Sequence, residues 1–207
     1  MRLFAVVLGL FGMGAVAMAQ NDLLPPDRYG IPSNLKLYSQ SDPKATLETV
    51  AKLLQLKRYD YLLAQVVDPA AVDPKVEERA RVLFPQVDKE FQDLREFQKR
   101  NRDRFERDQL LPLDPVEFGK KVDDEAKRRA FKVLLKDVEK NLDDFPENVK
   151  LYRKFVREGV FNDFGGTASF ILKDMPDQRV FLKRDGRRWL VEDRKVEIEK
   201  PAPPVEK

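Results

Sequence analysis

The sequence predicts an α+β protein: N-terminal helices packed on a small C-terminal antiparallel sheet, with a long charged helical insertion between them. Three observations predict it. Apolar residues recur three and four positions apart through most of 43–158. The spacing changes to alternation over 167–173, 179–184 and 187–192. The turn pair Asp185-Gly186 separates the last two of these runs.

Along the chain, the first element is an export signal. Arg2 supplies a positive start, 3–16 is apolar, and Ala17-Met18-Ala19 places small residues three and one before a cut after Ala19. The run is shorter than the ~20 residues that span a bilayer, and Gly9, Gly12 and Gly14 weaken it as a membrane helix. A Sec-type signal peptide over 1–19 follows, with a periplasmic or extracellular destination and no stable membrane anchor after cleavage. Residues 20–40 carry Pro25, Pro26, Gly30 and Pro32 without a helical period and read as an extended lead-in.

Residues 41–199 form the single α+β domain, with helices over 43–158 and sheet over 160–199. Asp42-Pro43 starts a helix to about Lys57, its core stripe Leu47, Val50, Ala51 and Leu54. A short apolar helix over 59–67 ends at Asp68-Pro69. Asp73-Pro74 starts a third helix, which Pro85 kinks or divides. Phe84, Val87, Phe91 and Leu94 give it a partial coiled-coil phase that Gln98 and Asn101 interrupt. Asp114 caps a helix from Pro115 to about Asp143 with apolar residues every fourth position, Phe118 to Leu142. Burying each large side chain of that stripe is worth ~1.5 to 3 kcal/mol. A last helix from Pro146 stops at Gly159.

In the sheet, Ala168, Phe170, Leu172, Val180, Leu182, Trp189 and Val191 share one face, with Phe181 and Leu190 on the other, so both faces are expected to be partly covered. Residues 173–178 read as a loop, Asp185-Gly186 as a type I′ turn, and 195–199 as a further short strand. The Pro-rich tail over 200–207 is expected to be disordered.

Composition limits function more than it defines it. The chain has 207 residues, 42% hydrophobic and 36% charged, with a formal charge of +3 that becomes +2 once Arg2 leaves, 38 Lys and Arg against 36 Asp and Glu. That balance gives no drive toward nucleic acid. The basic group Lys99, Arg100, Arg102, Arg104 and Arg107 is diluted by acids and reads as a solvated face. No Cys means no disulfide, thiolate metal site or thiol nucleophile, and no His removes the usual base near neutral pH and the commonest metal ligand. The acidic runs Asp123-Asp124-Glu125 and Asp143-Asp144 lack calcium-loop spacing, so neither a metal nor a cofactor is expected. One cluster, Tyr59, Asp60 and Tyr61, has the groups for acid–base work if burial raises the carboxyl pKa. Its plainer reading is amphipathic Tyr at a helix junction.

Ser41-Asp42-Pro43 leading into an amphipathic helix, Arg58-Tyr59-Asp60, the short helix ending Val67-Asp68-Pro69, and the closing strands with Val180-Phe181-Leu182, Asp185-Gly186 and Arg188-Trp189-Leu190-Val191 resemble the nuclear transport factor 2-like superfamily. The resemblance covers about a third of the chain. It implies a cone-shaped α+β fold whose curved sheet wraps helices around an apolar pocket, often in a dimer. Members include isomerases, dehydratases and cyclases, and also noncatalytic exported proteins. The charged helical stretch over 73–159 departs from that pattern. In such a fold Phe170, Leu172, Val180, Leu182, Trp189 and Val191 are the candidate lining of the pocket. The expectation is a noncatalytic exported binding or interaction protein. The alternatives are a small-molecule isomerase or dehydratase using Asp60 with Tyr59 and Tyr61, or a helical spacer that oligomerises.

Overall fold

The computed structural model describes residues 25–106, 108–144 and 147–194. The signal peptide, the strand at 195–199, the tail, Arg107 and Pro146 lie outside them. The fold is α+β. Helices α1 (Pro43–Gln55), α2 (Tyr59–Tyr61), α3 (Pro69–Arg100), α4 (Pro115–Asp144) and α5 (Glu147–Glu158) precede an antiparallel meander, strands β1 (Val160–Asp163), β2 (Thr167–Leu172), β3 (Met175–Asp185) and β4 (Arg188–Glu192), in spatial order β1-β2-β3-β4.

The Asp42 carboxylate accepts from the Ala45 N–H and starts α1. The helix ends in a Schellman arrangement: the Arg58 N–H donates to Leu53 O at 2.9 Å, the Lys57 N–H to Leu54 O, and Lys57 takes the left-handed φ of 52° usually given to glycine. After α2 the chain widens into one π-helical turn, Leu62–Val66, closed by Val67 N–H to Leu62 O at 2.9 Å. Val67 then pairs with Val191 of β4, and the Asp68 N–H donates to Val191 O at 2.8 Å.

Asp68 also caps α3 through the Ala70 N–H. The third helix therefore begins at Pro69, not at Pro74, and the Asp-Pro pair that ends one element opens the next. Pro74 and Pro85 both lie inside α3, which runs unbroken for 32 residues. Pro74 is the sixth helical residue, so the only i−4 bond it forfeits is to Ala70 O. Asp114 caps α4 by accepting from Val116 and Glu117 N–H at 2.9 Å each. Gly159 follows α5 for a steric reason: a Cβ there would lie 2.4 Å from the Phe155 carbonyl oxygen and 3.4 Å from the Phe170 ring.

The sheet's register puts Ala168 opposite Leu182, Phe170 opposite Val180 and Leu182 opposite Val191, the predicted core face. On the opposite face Ser169 and Leu190 are also buried. Three details differ from the sequence reading. The β2–β3 connection is short, Met175 pairing with Leu172, and residues 176–178 are accommodated as an irregularity before Arg179 meets Ile171. The final hairpin pairs Asp185 with Arg188, so its central residues are Gly186 and Arg187, with positive φ at Gly186 alone: the pattern of a type II′ turn. A fourth strand, β1, lies at the β2 edge.

Three apolar clusters form the core. Leu47 of α1 and Phe155 of α5 pack on the sheet face. Val50, Leu53 and Leu54 pack with Tyr38, Tyr59, Tyr61, Leu62 and Val66. Val76, Ala80 and Val87 of α3 pack with Phe118, Val122, Ala126 and Ala130 of α4. Val67, Tyr152 and Val191 each belong to the borders of two clusters and join them. Helices α3 and α4 pack chiefly on each other and form an antiparallel hairpin, here termed the arm.

Candidate functional site

The structure separates the members of the Tyr59-Asp60-Tyr61 cluster. Tyr59 and Tyr61 are buried in the core, and the Tyr61 hydroxyl accepts from the Asn34 N–H at 2.9 Å. The Asp60 carboxylate turns outward to a bidentate pair with Arg58, at 2.9 and 3.1 Å. Partial burial on its own would raise the Asp60 pKa, but the hydrogen bonds from Arg58 and the Tyr61 N–H, with the Arg58 charge, hold it below the ordinary carboxylate range. That direction is opposite to what a general acid at neutral pH requires.

Phe170, Leu172, Val180, Leu182 and Trp189 are buried in one cluster with Leu47 and Phe155, and Val191 is partly buried against it. These six residues are packed core in this structure. The clefts along α3 and α4 are lined by other residues.

The largest of these clefts, about 520 Å³, lies where the lead-in crosses α3 and α4. Arg28 and Ile31 exchange two backbone hydrogen bonds across a turn in which Tyr29 and Gly30 both have positive φ, 55° and 83°. This is where the chain makes a type I′ turn. The Arg28 guanidinium donates to Ala64 O at 2.6 Å and pairs with Asp73, which also accepts from the Tyr29 hydroxyl. The Tyr29 ring stacks on Phe131 of α4 at 4.6 Å. Burial, then the hydrogen bond to and charge of Asp73, push the Tyr29 pKa well up, and Arg28 offsets only part of this. The phenol is thus a fixed donor and not a base.

The cleft's remaining charges largely satisfy one another. Lys127 pairs with Asp123 at 2.8 Å, and that hydrogen bond, with the nearby Glu77 and Asp124, raises its pKa. Arg128 pairs with Glu125 at 2.7 Å. Among the described residues no group of three or more acidic side chains could hold a metal ion. The arrangement fastens the lead-in as a strap across the root of the arm. The role of Arg28 and Tyr29 was not read from the sequence, because their partner Asp73 lies more than 40 positions away.

The far end of the arm, residues 94–116, is built differently. Gln98 is buried at the end of α3; its amide donates to Gln109 O at 3.0 Å and its oxygen accepts from the Leu111 N–H at 2.9 Å, so one side chain holds the returning loop in place. Arg95 donates to Leu113 O at 2.6 Å and lies over the Phe118 ring. Phe97 meets Phe105 edge-to-face at 5.9 Å. Apolar side chains nevertheless stay in solvent here: Leu94 is 40% exposed, Phe97 51%, Leu113 72% and Val116 79%. Gln98 appeared in sequence only as a break in the heptad, and the pattern around it held no sign that it would bind the loop.

Comparison with protein-family models, with curated proteins and with solved structures gives no match.

Proposed function

We propose that the chain is an exported, noncatalytic binding protein that engages a partner through the far end of the α3/α4 arm. The observation that carries this reading is the exposure of Leu94, Phe97, Leu113 and Val116 together at one end of the helical hairpin. An apolar group displayed on a preformed support is the usual anchor of a protein interface. Export rests on Arg2, the apolar run over 3–16 and Ala17-Met18-Ala19. Kinship with the nuclear transport factor 2-like superfamily is a proposal supported by the capped α1, the 59–67 segment and the closing hairpin.

Two experiments test the reading. N-terminal sequencing of the protein from the cell envelope should begin at Gln20; an intact Met1 in the cytosol contradicts export. Chemical cross-linking in cells should give a discrete heavier species for the native chain that is lost in the Phe97→Asp/Val116→Asp variant. An unchanged species in that variant removes the arm from the interaction.

A further inference from the structure

Beneath the 109–113 loop lies a pocket of about 100 Å³, lined by Arg95, Gln98, Lys99, Arg102, Leu110, Leu111 and Leu113. Its aliphatic floor distinguishes it from the charge-lined cleft under the strap. With a water's share of liquid volume, ~30 Å³, as the unit, it has room for about three methylene-sized groups, enough for most of the four carbons of an isobutyl group.

The cations at its rim are not equivalent. The Lys99 ammonium is taken by Glu96 at 2.6 Å. Arg95 and Arg102 form no ion pair among the described residues, and the buried Nε of Arg95 has no hydrogen-bond acceptor. Arg95 lies near enough to Glu96 to feel its charge but is hydrogen-bonded to no carboxylate, and a half-buried guanidinium beside an apolar floor favours an incoming anion, because desolvation strengthens a charge-assisted hydrogen bond. The site is also preorganised. Gln98 fixes Gln109 and Leu111, and Arg95 fixes Leu113, before any ligand arrives.

We propose that this pocket binds a short aliphatic carboxylate, its isobutyl-sized end seated among Leu110, Leu111 and Leu113 and its carboxylate met by Arg95 and Arg102. The shared chemistry has two sources, a free branched fatty acid and the C-terminal leucine of a peptide. This inference deepens the reading of the arm as the binding element, and rests on it only for its biological setting.

The test is an NMR titration of the purified full-length exported form with 4-methylpentanoate, with N-acetyl-Leu-Leu, and with the corresponding amides. Saturable shifts confined to the methyls of Leu110, Leu111 and Leu113, at least tenfold weaker for the amides, support the proposal. Tighter binding of the peptide assigns the source to a chain terminus, and tighter binding of the free acid to a fatty acid. Arg102→Gln should weaken binding at least tenfold and Arg102→Lys should restore part of it. Equal response to acid and amide, or unchanged affinity in Arg102→Gln, overturns the proposal. Because the titration uses isolated protein, its failure is distinguishable from failure of the cellular cross-link.

Discussion

The buried amide of Gln65 donates to the carbonyl of Ile31 at 2.8 Å, tying the π-helical turn to the strap that crosses it. The same nitrogen lies 3.3 Å from Pro26 O, and the main-chain carbonyl of Gln65 accepts from the Gln40 side-chain amide at 2.8 Å. Gln65→Met keeps the volume but leaves the Ile31 and Pro26 carbonyls without this donor, at a cost of about 1 to 3 kcal/mol. Urea unfolding should show a lower midpoint at unchanged slope, and hydrogen exchange should rise in 26–34 before elsewhere.

Tyr29 makes stability fall at high pH. Its folded pKa is raised above the ordinary 10.0, by burial first and Asp73 second. The folded state therefore holds the phenolic proton more tightly than the unfolded chain. The resulting stabilisation is fully present below pH 10 and is lost as pH rises toward the folded pKa. Tyr29→Phe should lessen that alkaline decline, and phenolate absorbance should lose one raised component in the same variant, while Tyr152, raised by burial, keeps its own.

Gly159→Ala should be strongly destabilising, although alanine ordinarily favours helix. The new Cβ meets the Phe155 backbone oxygen at 2.4 Å, and only a shift of α5 against β2 relieves it. Overpacking of this kind costs about 1 to 3 kcal/mol. A thermal midpoint equal to that of the native chain would show that the end of α5 yields freely.

Core and arm should respond in opposite ways to truncation. Leu172→Ala, at a fully buried position, should cost about 2 to 5 kcal/mol. Val116→Ser, at a position 79% exposed, should fall within about 0.5 kcal/mol of the native chain. Asp60→Asn should also leave stability nearly unchanged, since an exposed ion pair contributes little.

Local chemistry made much of this fold legible. Asp42-Pro43 and Asp114-Pro115 start helices through capping that needs only neighbouring residues, and alternation from Ala168 to Val191 assigns the core face of the sheet correctly. Asp68-Pro69 and Asp73-Pro74 read alike in sequence, but only the first leads a helix. The deciding facts are the pairing of Val67 with Val191 and the pull of Arg28 on Asp73, both long-range. Strand β1 has adjacent Val160 and Phe161 in place of alternation, so its pairing with β2 left no period to detect. For the candidate site, the apolar sheet residues were read correctly as one face, yet whether that face lines a pocket depended on how Leu47 and Phe155 fill it. The arm's exposed end was hidden for the opposite reason: Leu94 keeps the heptad phase of Val87 and Phe91, which pack in the core, yet is 40% exposed.

We propose that the arm's far end, and not a cavity under the sheet, meets the partner. The most direct test is site-specific photo-cross-linking in cells, with a photoreactive phenylalanine analogue placed in turn at Leu113, Val116, Glu48 and Phe181. Discrete adducts from Leu113 and Val116, with none from Glu48 on α1 or Phe181 on the sheet, are the predicted result. A species of twice the chain's mass would identify the partner as a second copy. Adducts from Phe181 or Glu48 with none from the arm would contradict the account.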